Sequence, residues 1–72
     1  MTADEMSIVA FLGTNPEAFF ARREIARKAV KRQVYEENPH WVDAPLAGLK
    51  DRGVVEQNDS GQYRLKQGQT QR

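Results

Sequence analysis

Apolar residues near the start of the chain recur at helical spacing. Ile8, Phe11 and Leu12 form a stripe, with Met6 and Val9 beside it. Thr2 and Glu5 stand at capping-box spacing ahead of it, and Gly13 follows as a stop. This pattern predicts a first helix over about 3–12. The stretch TNPEA, with Pro16, reads as a loop, and Phe19-Phe20 as a short extended segment. Ile25, Ala26, Ala29 and Val30 give an inward face to a second helix over about 22–30. In KRQVYEENPHWV, Val34, Tyr35 and Trp41 require at least partial burial, but Asn38-Pro39 interrupts any continuous helix.

Leu46 and Leu49, three apart, mark a third helix, and Gly53 after Lys50 and Arg52 marks its end. Asp43 is expected as its N-cap. Pro45 then falls in the first turn, where a missing N–H costs nothing; a start at Asn38 would put it mid-helix. Residues 54–57 and 62–66 flank Asn58-Asp59-Ser60-Gly61. This is a hairpin in which Asn, Asp and Ser bond nearby backbone and Gly61 supplies a positive φ. A lone hairpin is marginal in water, so Val55, Tyr63 and Leu65 are expected to lie on the first and third helices. The expected fold is mainly α with a small β-hairpin: helix, helix, helix, wing. It occupies residues 1–66, and QGQTQR at 67–72 reads as a disordered tail.

Composition narrows the chemistry. Seventy-two residues allow one domain with a thin core, and the absence of Cys removes disulfides and thiolate metal sites. His40 is the single histidine, so no metal or cofactor site is expected. Ser7 and Ser60 have no partner base suggested by spacing, and Glu36-Glu37 reads as a solvated pair, so no catalytic residue is proposed. The opening MTADEMSIVAFLG carries acids where a signal peptide carries bases, and no apolar run reaches membrane-spanning length. A cytoplasmic, bacterial-type protein without a membrane partner is the plain expectation.

The net charge of +1 hides a strong pattern. Residues 1–20 carry −3, 21–32 carry +5, 33–45 carry −3 and 46–72 carry +2. Arg23, Arg27 and Lys31 repeat at i, i+4 and i+8 on the expected second helix. Like charges at that spacing destabilise a helix slightly, so such a stripe points to an anionic partner as much as to a solvated face. Trp41 and Tyr35 could stack on bases, but a domain this small needs its aromatics for packing.

FFARREIARKA and LAGLKDRGVVEQNDSGQYRL, taken together, resemble the winged helix-turn-helix family over roughly residues 5–66. The resemblance implies a third helix in the DNA major groove, a wing on the backbone or minor groove, and a role in transcription regulation. Arg22, Arg23, Arg27, Lys31 and Arg32 would then contact phosphates of double-stranded DNA, with Lys50 at the groove and Arg64 and Lys66 on the wing. Three departures modify this. Ala21 replaces the usual capping hydroxyl, the connection to the third helix is long, and that helix offers only Ala44, Ala47, Gly48, Lys50 and Asp51 outward. The side chains that pair bidentately with bases are missing there, which favours phosphate-led binding. The alternative is a winged-helix module that binds a protein partner and no DNA.

Overall fold

The computed structural model describes residues 1–66; the expected tail at 67–72 lies outside the described residues. Its elements are α1 (Ala3–Gly13), β1 (Phe20–Ala21), α2 (Arg22–Lys28), α3 (Arg32–Glu37), α4 (Asp43–Asp51), β2 (Val55–Gln57) and β3 (Gln62–Leu65). The architecture is a mainly helical domain with a small antiparallel sheet, strand order β1-β3-β2. Four helices are described where three were expected, because part of the connection folds as α3.

The start of α1 follows the capping-box spacing. The Glu5 N–H donates to Thr2 Oγ1 at 3.1 Å, and the Thr2 N–H donates to Glu5 Oε1 at 2.9 Å. At the other end Gly13 is the last helical residue, and the Thr14 hydroxyl donates to the Phe11 carbonyl at 2.7 Å. The Thr14 N–H also donates to that carbonyl, at 3.1 Å, so the end of the helix is closed and Gly13 needs no positive φ.

Phe19-Phe20 resolves into a strand residue and its neighbour. Phe20 pairs with Tyr63 and Ala21 with Gln62, so β1 gives the hairpin a third strand and β3 the centre of the sheet. A hairpin too weak alone is thus held on two sides. Its turn is tied by Asn58, whose Oδ1 accepts from the Ser60 and Gln62 N–H groups at 3.0 and 2.9 Å. Gly61 closes the turn at φ +82°, as its position requires.

The core joins Ile8 and Leu12 of α1, Ile25 and Ala26 of α2, Leu46 and Leu49 of α4, Val55 of β2, and Trp41 and Val42 of the connection. Trp41 fills a core site, and its indole N–H donates to the Ala26 carbonyl at 2.9 Å. Tyr63 and Leu65 pack against this core from the sheet.

Four expectations fail here. The second helix stops at Lys28, and Lys31, in extended geometry (φ −64°, ψ 151°), becomes the N-cap of α3. The bend keeps Ala29 and Val30 against the core while α3 buries no residue of its own. Val34 therefore sits on an outer face, 43% exposed, and Met6 is likewise exposed on α1. Asp43 is not a cap: α4 begins with Val42 as N-cap residue, in helical geometry and buried, and no side-chain cap bond forms. The turn before it, in which the Asp43 N–H donates to the His40 carbonyl at 3.1 Å, runs straight into the helix. Pro45 still lies in the first turn, where the helix asks no N–H of it.

Candidate nucleic-acid interface

Most of the cations expected to meet an anion lie on α2, at the α2–α3 corner and on α3. Arg23 and Arg27 are one turn apart on the solvent side of α2. The bend moves Lys31 off that helix, so the three are not one continuous helical stripe. Their neighbours are paired. Lys28 meets Glu24 at 2.9 Å, Arg32 meets Glu36 at 2.9 Å, and Arg22 lies 3.6 Å from Asp43. These pairs are exposed and contribute little to stability. Among the described residues, Arg23, Arg27, Lys31, Lys50 and Lys66 are the cations in no ion pair.

Lys50 is engaged in a different way. Its ammonium donates to Gln57 Oε1 at 2.7 Å, and Gln57 donates to the Tyr63 hydroxyl at 3.2 Å. This chain links the last turn of α4 to β2 and β3. Lys66 is exposed just past β3, where its N–H donates to the Val54 carbonyl at 3.0 Å. The hairpin turn itself carries Asp59 and no cation.

Arg64, expected on DNA, is taken up inside the fold. Its Nε donates to Glu56 Oε2 at 2.6 Å across the strand pair, and Nη1 donates to the Glu17 carbonyl at 3.2 Å. The guanidinium also covers the Phe19 ring, 4.4 Å from its centroid. With its side chain only 26% exposed, Arg64 fastens β3 to β2 and to the loop after α1. A strand Arg facing a Glu could have been paired from sequence only with the register known.

A second pair was missed altogether. Glu5 is 6% exposed, and its second carboxylate oxygen accepts from Arg52 Nη2 at 2.7 Å. The Thr2 N–H first, then the Arg52 guanidinium, hold its carboxyl below the ordinary carboxylate value. Gly48 makes the room, since a Cβ there would lie 3.0 Å from Glu5 Oε2. The capping spacing pointed to one oxygen of Glu5; nothing local pointed to the other.

Apart from Lys50, the outward residues of α4 are small or acidic. Ala44, Ala47 and Asp51 are exposed with Asp43, and Arg52 is held by Glu5. Among the described residues no group of three or more His, Cys, Asp or Glu could hold a metal ion, and no helix is long and apolar enough to cross a membrane. No protein-family model matches the chain, and neither does any curated protein or solved structure.

Proposed function

We propose that this chain is a winged helix-turn-helix domain that binds double-stranded DNA mainly through its phosphates. The element order supports the fold reading: α2, α3 and α4 precede a hairpin whose inner strand also pairs with β1. One observation carries the function. In residues 21–32, the segment of highest positive charge, the single acid, Glu24, is spent on Lys28, and Arg23, Arg27 and Lys31 stay exposed and free of ion pairs among the described residues. Cations left unpaired in this way raise the local potential for a polyanion. Lys50 and Lys66 are secondary contacts, Arg22 and Arg32 can exchange their acids for phosphate, and Arg64 is left out. The small, acid-flanked face of α4 offers little base readout, so affinity should differ little between sequences.

A salt titration on random duplex DNA tests this. The slope of log K against log salt should fall by roughly 2 to 3 units when Arg23, Arg27 and Lys31 are all replaced by Gln. Absence of binding at low salt, or a triple variant that binds like the parent, defeats the proposal. The protein-partner reading would then lead. Its supporting observation is the exposed apolar surface of Met1 and Met6 on and before α1, at 68% and 59%.

A further inference from the structure

A cleft of about 380 Å³ opens between the start of α2, α3 and the turn before α4. Its floor is Ala26 and Val42, with Pro39 and the Tyr35 side chain on its walls. Arg22, Arg23, His40 and Asp43 complete the lining. Small-molecule sites combine this kind of apolar floor with a few converging polar groups.

The donors in this cleft are unspent. Asp43 lies 3.6 Å from Arg22 Nη1 and 3.7 Å from His40 Nδ1, close enough to share charge and too far to be good hydrogen bonds. Among the described residues neither Arg23 nor the Tyr35 hydroxyl has a hydrogen-bond or ion-pair partner. Two guanidinium groups, an imidazole and a phenol thus line one cavity with their N–H and O–H groups available, against a single carboxylate.

We infer that this cleft is a binding site for a small phosphate monoester with a flat apolar body. Arg22 and Arg23 take the phosphate oxygens, with His40 and the Tyr35 hydroxyl as further donors, and the body lies along Pro39, Val42 and the Tyr35 ring. A monoester is favoured over a carboxylate or a diester by its number of acceptor oxygens. It carries about −1.5 to −2 at pH 7 and presents three terminal oxygens, enough acceptors for the Arg22, Arg23, His40 and Tyr35 donors together, where a carboxylate or a diester presents two. Asp43 is then the unfavourable element of the site.

The site needs no DNA binding, so the two readings stand or fall separately. The test is titration of the intact chain with phenyl phosphate, followed through the backbone amides of Ala26, Tyr35 and Val42. These amides should shift with saturation in the millimolar range. Arg23→Gln should weaken binding about tenfold, and Asp43→Asn should tighten it severalfold by removing the like charge. Tyr35→Phe, which keeps the ring, should weaken it modestly and guards against a folding artefact at Arg23. Benzoate and inorganic phosphate should each bind more weakly than phenyl phosphate. The inference is overturned if these amides do not move up to about 20 mM ligand, where a millimolar site is saturated. Binding that ignores Arg23→Gln and Tyr35→Phe overturns it, as does inorganic phosphate binding equally well. Shifts produced by a DNA duplex but not by phenyl phosphate would also overturn it, assigning the cleft to a backbone diester.

Discussion

The side of the molecule built on α1 and α4 and the side built on α2 and α3 use similar residues to different ends. On the first, a charged group is closed on itself: Glu5 spends one oxygen on the Thr2 N–H and the other on Arg52, beside Ile8, Leu12, Leu46 and Leu49. On the second, neither helix has a side-chain cap, α3 has no fully buried residue and only Tyr35 packed in part against the core, and three cations remain without an ion pair among the described residues. The contrast separates what holds the fold from what is available to a partner. Charges satisfied within the fold are costly to unpair; charges left over are the ones that a ligand can recruit.

The sharpest way to break that contrast is to truncate one apolar side chain on each side. Leu49→Ala removes a fully buried side chain and should cost about 2–5 kcal/mol. Val34→Ala on α3, where Val34 is 43% exposed, should stay within about 0.5 kcal/mol. Urea denaturation of the two variants measures both. Comparable losses would mean that α3 is packed into the core and that the α2–α3 side is no freer than the other.

The same division governs how much could be read from the chain alone. The ends of α1, the hairpin turn with Gly61, and the apolar faces around Ile8, Ile25 and Leu46 were legible, because capping, turn chemistry and period act within a few residues. The break after Lys28 was not. Residues 22–30 carry a good helical period, and only the packing of Ala29, Val30 and Trp41 against the core sets where the helix must bend. The exposure of Val34 was not legible for the same reason, since hydrophobicity without a known helix axis does not fix a face. At the candidate interface the concentration of charge was legible, and the division of that charge was not. Which arginine stays free depends on distant acids: Glu56 reaches Arg64, Asp43 reaches Arg22 and Glu5 reaches Arg52.

A subtler test uses Gly48, where α4 lets the Glu5 carboxylate approach. Alanine has the better helix propensity by about 1 kcal/mol. Against that, its Cβ would stand 3.0 Å from Glu5 Oε2, an oxygen that Arg52 holds in place. Gly48→Ala should therefore lower the melting temperature of the parent and raise it in a Glu5→Ala background. The same sign in both backgrounds would show that Glu5 is not pinned there. Acid reports on the same group. Because the folded state holds the Glu5 carboxyl below its ordinary value of 4.5, its contribution is complete above that pH. It is lost as pH falls from 4.5 through the lower folded value. Glu5→Gln should flatten the acid limb of the stability curve in that window.

The smallest effects compare two helix starts. Thr2 caps α1 with a hydroxyl that accepts the Glu5 N–H, so Thr2→Ala should cost about 1 kcal/mol. Asp43 is the first residue of α4 and accepts no backbone bond as a cap. What it offers is a negative charge at a helix N-terminus, with loose partners in Arg22 and His40 at 3.6 and 3.7 Å. Its side chain is 47% exposed, so solvent screens those pairs and Asp43→Ala should cost only a few tenths of a kcal/mol. Amide exchange in the first turn should follow the same order: the amides at the start of α1 should lose protection in Thr2→Ala, and those at the start of α4 should barely change in Asp43→Ala. A loss from Asp43→Ala equal to or above that from Thr2→Ala would make Asp43 a true cap. The α2–α3 side would then be fastened to α4 by a charge as firmly as α1 is, and the division between a self-satisfied side and a recruitable one would fail.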